Sequence, residues 1–306
     1  MNNKYLITIV GPTAIGKTTL SIAIAQSLQC EILSCDSRQF FKEMTIGTAV
    51  PSIEERAAVK HHCIHNKSIF DVYTVGDFEK EALAILDTLF AHNNFVVMVG
   101  GSGLYVDAVL NGFDDFPDIP MQVRNQIIKE YHEKGIQYLQ DELEKRDPIH
   151  YDIMAKQNPQ RLMRALEVCV GTGKPYSSFL NKKHVHRNFV PIKIGLEADR
   201  VIIYDRINKR VDQMIKNGLE KEALSLHAFS YLNALKTVGY RELFDYFENK
   251  ISLDFAIEEI KKNTRRFSKR QLTWFKKDLT TIWFDYATDK TKILQFLEVF
   301  IKHHHS

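Results

Sequence analysis

The chain has 306 residues, 44% hydrophobic and 26% charged, which suits one large core with room for an inserted piece and excludes disorder as its general state. Its 41 Lys and Arg against 38 Asp and Glu leave a net charge of +3, too small to name a partner by itself. The four cysteines, Cys30, Cys35, Cys63 and Cys169, are scattered rather than framed for disulfides, no leader is expected, and no stretch approaches the roughly 18 apolar residues of a membrane span, so a cytoplasmic protein is expected.

In chain order, YLITIV (5–10) reads as a buried parallel strand and TTLSIAIAQSL (18–28) as the helix it feeds. CEILSCD (30–36) predicts a second strand ending in a carboxylate, and SIEERAAVKHH (52–62) a helix with Ser52 as N-cap and Glu55 as its reciprocal partner. VGDFEKEALAILDTLFAHN (75–93) has helical spacing at Phe78, Ala82, Ile85 and Leu89, and FVVMVG (95–100) is again a continuous apolar strand. This alternation predicts a parallel sheet covered on both faces. GFDDFPDIP (112–120) reads as a hinge, and the next two long segments look helical with no convincing strand between them. FVPIKIGLE (189–197) returns to strand composition. The expected fold class is α/β, a P-loop three-layer core of residues 1–115 and 189–306 with a parallel sheet, interrupted by an all-helical insertion at 116–188. Beyond residue 197 the chain is expected to be mostly helical, with one long helix ending at Gly218, another at 255–278, and a solvated end at KHHHS.

GPTAIGKT (11–18) satisfies G-x-x-x-x-G-K-[ST] between a strand and a helix. In this loop, Gly11, Pro12, Thr13, Ala14, Ile15 and Gly16 form a turn whose amides wrap a phosphate, Lys17 adds positive charge, Thr18 offers a hydroxyl to Mg²⁺, and the helix adds its positive end. The pattern specifies phosphate, not nucleotide. A nucleoside triphosphatase also wants an apolar strand ending in a magnesium-holding Asp, yet FVVMVG runs into GGSGLY with no carboxylate. The strand-terminal acid is Asp36. Its residue type admits three roles: holding Mg²⁺ through water, taking a proton from an acceptor nucleophile, or capping the next turn.

KKNTRRFSKRQLTWFKK (261–277) carries eight cations and no acid, a field able to hold a polyanion. At helical spacing Lys262, Arg265, Arg266, Lys269 and Arg270 make a basic face, while Phe267, Trp274 and Phe275 read as anchors on another. HHCIH (61–65) lacks a second ligand cluster, so no zinc site is expected there.

GPTAIGKTTL, DSRQFFKEMTIGTAVPS, HHCIHNKSIFDVYTVGDF, GGSGLY, NPQRLMRALEV, TGKPYS, LKTVGYREL and RRFSKRQLTWF occur in this order, and together they resemble the bacterial tRNA dimethylallyltransferases from residue 5 to about 286. The resemblance implies that the loop cradles the diphosphate of dimethylallyl diphosphate, with Mg²⁺ near Thr18, and that the prenyl group goes to N6 of adenine 37 beside the anticodon of tRNA. It implies Asp36 as general base, Lys17, Thr13 and Lys236 toward donor and substrates, and Ser37, Arg38 and Gln39 along the RNA side. Further RNA contacts are implied for Ser102, where the family more often has Thr, and for Arg124, Gln160, Arg161, Leu162, Met163 and Arg164. Arg265 and Arg266 belong to the basic run that fits an RNA backbone. The chain departs from the family pattern at Ile15, often a small residue, and at Val50, often Lys. A monomer suffices for a tRNA anticodon stem-loop, and no protein partner is expected. An adenylate prenyltransferase and a P-loop small-molecule kinase are the alternative enzymes, and a noncatalytic RNA-binding protein the alternative from another class.

Overall fold

In the computed structural model, residues 3–114, 116–180 and 186–304 are described. Residue 115 of the expected hinge, 181–185 of the expected insertion and the last two residues of KHHHS lie outside them.

All six residues of strand β1 (Tyr5–Val10) are buried. Successive side chains leave a strand on opposite faces, so a run of this kind needs cover on both. Leu6 and Val10 enter one core layer, while Tyr5, Ile7 and Ile9 enter the other. From β1 the chain runs through α1 (Lys17–Ser27), β2 (Ile32–Ser34), α2 (Ile53–Ala58), β3 (His61–His62), α3 (Val75–Phe90), β4 (Phe95–Val99) and α4 (Gly103–Asn111). Three helices follow, α5 (Met121–Arg146), α6 (Pro148–Ile153) and α7 (Pro159–Thr172). The sheet then resumes with β5 (Val190–Glu197), α8 (Arg200–Lys216), α9 (Leu219–Leu226), α10 (Tyr240–Phe247), α11 (Leu253–Phe275), β6 (Ile282–Asp285) and α12 (Lys290–His304).

The six strands lie in the order β3-β2-β4-β1-β5-β6, every neighbouring pair parallel. Ile7 sits between Val97 and Ile192 at the centre. Leu20 and Ile24 of α1 and Ile293, Leu297 and Ile301 of α12 cover one face, and residues of α3, α4 and α8 to α11 cover the other. Among the described residues no helix is long and apolar enough to cross a membrane.

Three local expectations are corrected. The helix expected over 52–62 stops at Ala58, because Val59 is extended and the Lys60 carbonyl accepts from Ile32 N–H at 2.9 Å, drawing His61 and His62 into the sheet. Its start is as read, with Ser52 and Glu55 capping each other. On α3 the buried stripe is Phe78, Ala82, Leu86 and Phe90, with Ile85 and Leu89 at its margin. Ile282–Asp285, inside the tail expected to be mostly helical, pairs with β5 as the sixth strand, its β-branched and aromatic residues suiting a half-buried edge.

The chain divides into two compact units, Asn111–His186 and the remainder. In the smaller, Ile127, Leu139, Leu143, Leu162 and Leu166 form a separate core. Its two shorter helices each begin with Pro after a capping side chain, Asp147 for α6 and Asn158 for α7. The first helix, α5, is broken at Gly135, whose φ of 77° no regular helix contains.

Candidate active site

Because the strands are parallel, the segments after β1, β2 and β4 leave the sheet at one edge. Residues 11–18, Asp36 and Gly100–Ser102 meet there, and most of them, with parts of α8 and α11, line one cavity of about 550 Å³.

The phosphate loop has the strain its glycines allow. Gly11 has φ 143°, and a Cβ on it would lie 2.6 Å from the Leu196 carbonyl oxygen. Gly16 is the N-cap of α1 and has no side chain to occupy the helix's first-turn amides. Lys17 Nζ donates to the carbonyls of Gly11 at 3.0 Å and Pro12 at 2.8 Å, which holds the ammonium over the loop. Burial lowers its pKa to about 7, Arg210 lowers it further within that value, and Asp36 opposes both. An anion arriving beside Lys17 restores what burial removes.

Three residues of this site were not singled out from the sequence. Arg206 Nε donates to Ala14 O at 2.7 Å, and Arg210 Nη1 to the Thr13 hydroxyl at 3.2 Å. Four residues apart on α8, they share a face toward the loop. Gln271 of α11 accepts from Thr13 N–H. The only early signal was the Arg spacing in DRINKR, which reads equally as a wet helix surface. His61 also lines the cavity, its Nδ1 2.7 Å from the Val59 carbonyl and its buried Nε2 without a hydrogen bond among the described residues.

Asp36 Oδ1 accepts from the N–H groups of Arg38 at 2.9 Å and Gln39 at 3.3 Å, and Oδ2 makes no hydrogen bond among the described residues. One oxygen is thus fixed by the turn, and the residue lines the cavity. Burial raises the carboxyl above its ordinary range, against the lowering pull of those two N–H groups and of Lys17 and Arg38. Ser37 N–H donates to Ser102 Oγ at 3.0 Å, joining the turns after β2 and β4. Gln39 spends both ends of its amide on protein: Oε1 accepts from Ser34 Oγ, and Nε2 donates to Thr48 O and Ala49 O. These bonds fix its amide within the protein, which holds the 48–49 segment against the turn after β2. Arg38 lines the cavity and donates to the Ser37 and Asn233 carbonyls.

The cavity changes character along α8. Arg206 and Arg210 are followed within one turn by Val211 and Met214, joined on the wall by Leu219, Val238 and Ile260. A cationic end passes into an apolar strip. Lys236 is exposed and does not line this cavity, whereas Thr237, Val238 and Gly239 do.

In the smaller unit, Arg124 and Arg164 both bind the buried Glu167, at 3.1 and 2.9 Å. Gln160 and Arg161 are exposed, and the side chains of Leu162 and Met163 belong to the core. On α11, Lys261 and Lys262 pair with Asp212, Glu258 and Glu259, and Arg265 donates to Asn208 at 2.7 Å. Arg266, Lys269 and Arg270 are exposed and make no ion pair among the described residues. Trp274 is anchored through Nε1 to Asp107 at 2.9 Å.

Compared with known proteins, residues 39–278 match the IPP transferase family. The chain is 63% identical to the tRNA dimethylallyltransferase of Flavobacterium johnsoniae over 96% of this chain and 97% of that one. It is 62% identical to the enzyme of the same name from Flavobacterium psychrophilum, over 98% and 100%. Among solved structures it resembles the tRNA isopentenylpyrophosphate transferase of Bacillus halodurans, with TM-score 0.73 and 34% identity over 98% of this chain and 97% of that one.

Proposed function

The chain belongs to the IPP transferase family and transfers a dimethylallyl group to tRNA, and we propose that its donor is dimethylallyl diphosphate and its acceptor N6 of adenine 37 beside the anticodon. The observation that carries the finer reading is the cavity's sequence of surfaces. Lys17, Arg206 and Arg210 suit a diphosphate, the strip from Val211 to Ile260 suits a branched five-carbon tail, and Asp36 offers a carboxylate oxygen to an amine.

In the reaction so read, the bond between N6 and the allylic carbon forms as the bond from that carbon to the diphosphate oxygen breaks. The N6 proton passes to Asp36 Oδ2. An adenine amino group is a poor nucleophile, because its lone pair is delocalised into the ring, so removing its proton as the bond forms lowers the barrier. A carboxylate with a raised pKa is the stronger base for this step. Lys17, the loop amides and the two α8 arginines take up charge developing on the leaving diphosphate. No phosphoanhydride is hydrolysed, which fits a phosphate loop without an acid at the end of β4.

The Thr18 hydroxyl is a hard oxygen donor on the cavity wall and fits Mg²⁺, and no group of three His, Cys, Asp or Glu able to hold an ion stands among the described residues. The ion would therefore be shared with diphosphate oxygens and water, supplying further neutralisation of the leaving group. Arg38, Arg124, Arg161 and the exposed cations of α11 are proposed to meet RNA phosphates, with the protein acting as a cytoplasmic monomer on the anticodon stem-loop.

The test is transfer of radiolabelled prenyl from dimethylallyl diphosphate, with Mg²⁺, to an unmodified anticodon stem-loop, beside an adenine-to-guanine control at the target position and free AMP. Label in the adenine stem-loop alone supports the reading. Label in AMP alone replaces it with adenylate prenylation.

A further inference from the structure

Three successive backbone amides in the segment between β2 and α2 converge on one carboxylate. Thr45 N–H donates to Glu222 Oε2 at 3.0 Å, Ile46 N–H to Oε2 at 2.8 Å and Oε1 at 3.1 Å, and Gly47 N–H to Oε1 at 3.0 Å. The Tyr240 hydroxyl adds a further donor to Oε1 at 2.7 Å. Successive amides curled around an anion are the arrangement that proteins use to hold phosphate. Here the anion is the chain's own Glu222, on α9.

The segment so held is a wall of the cavity, which Gly47, Thr48, Ala49 and Val50 line. It is also attached to Gln39, through the two bonds from Nε2 to Thr48 O and Ala49 O, and Gln39 N–H is bonded in turn to Asp36 Oδ1. Room behind the wall is exhausted: a Cβ on Gly47 would lie 2.6 Å from the Tyr240 ring. The wall is therefore clamped between α9 and α10 on one side and the Asp36 turn on the other.

We propose that Glu222, seconded by Tyr240, is a positioning residue that fixes the gap between this wall and Asp36, and thereby sets how the acceptor base is admitted and oriented. The inference rests on the reading that Asp36 meets the acceptor. Bonds to an ionised carboxylate are roughly twice as strong as neutral ones, so four donors on one Glu make a stiff clamp. Glu222 bonds to neither the phosphate loop nor Asp36, and the diphosphate end is held by Lys17, Arg206 and Arg210. Loss of the clamp thus disturbs the acceptor side and leaves the donor side in place.

The experiment measures KM for both substrates and kcat in the full-length protein, with melting temperature as the control for folding. Glu222→Gln keeps the size of the side chain but sets an NH₂ group among converging donors. The expected result is a rise of about tenfold or more in KM for the anticodon stem-loop, with KM for dimethylallyl diphosphate little changed. Glu222→Asp, which keeps the charge, recovers part of the loss, and Tyr240→Phe, which removes one donor of four, shows a smaller split in the same direction and serves if Glu222→Gln does not fold. Active wild type with variants that raise both KM values equally, or neither, overturns this inference alone. Wild type that transfers nothing to RNA overturns the reading of function and this inference with it.

Discussion

Gln271 ties Thr13 of the phosphate loop to the turn after β4: its Oε1 accepts the Thr13 N–H at 2.9 Å while its Nε2 donates to Gly101 O at 2.8 Å. Gln271 is only 6% exposed, and its bond to Gly101 is buried, so that carbonyl has no ready substitute in water. Gln271→Leu fills similar space and leaves both groups without a partner. It is expected to lower stability by about 1–3 kcal/mol and to slow transfer by loosening the loop proposed to hold the diphosphate. Urea denaturation and single-turnover transfer check the two parts, and a variant as stable and as fast as wild type refutes both.

In the proposed mechanism Asp36 carries the pH dependence. Its carboxyl is raised by burial, so as pH falls the base is protonated earlier than an ordinary aspartate would be. The single-turnover rate is therefore expected to fall on the acid side starting above the usual carboxylate range. Asp36→Asn keeps the shape and the turn, so tRNA binding stays while the rate drops about 10²-fold or more and the acid limb disappears. An Asn variant that keeps the limb assigns it to another group.

Lys17 gives a prediction about stability. Folded Lys17 titrates at about 7 and the unfolded side chain near its ordinary 10.5, so the unfolded chain holds the extra proton between those values. The penalty of burying the cation is full below about 7 and fades as pH rises toward 10.5. With donor and metal absent, Lys17→Met is expected to raise the melting temperature more at about pH 6 than at about pH 9, while donor use is lost. An equal gain at both pH values refutes the assignment.

Much of this site is legible in the sequence where its parts are local. GPTAIGKT specifies its own turn, and Asp36 is visible as the acid just past a strand. Arg206, Arg210 and Gln271 reach the loop from 192, 197 and 258 residues away, and a side chain's partner at that separation leaves no pattern in its own helix. The same holds for Glu222, which looks like an ordinary surface glutamate in GLEKEAL until the 45–47 amides close on it. Strands β3 and β6 were missed because their two and four residues are too few to show a period. The basic run at 261–277 shows its charge in the sequence but not its pairing: Glu258 and Glu259, just before it and three residues from their lysines, neutralise its first turn.

That neutralisation sharpens the prediction for RNA binding. Arg265 is spent on Asn208 and lies over the Tyr204 ring, both on α8, so its replacement is expected to lower the melting temperature by loosening the seam between α8 and α11. Arg266, Lys269 and Arg270 of α11 are exposed and make no ion pair among the described residues, which suits them to the proposed phosphate contacts. Replacing Arg266 with Ala should weaken binding of the anticodon stem-loop and flatten its salt dependence by about one unit of slope, with similar steps for Lys269 and Arg270. Fluorescence anisotropy across a salt titration measures both quantities. A slope unchanged in the triple variant removes this end of α11 from the RNA interface, and a slope reduced by Arg265→Ala alone would place that residue on the RNA despite its bond to Asn208.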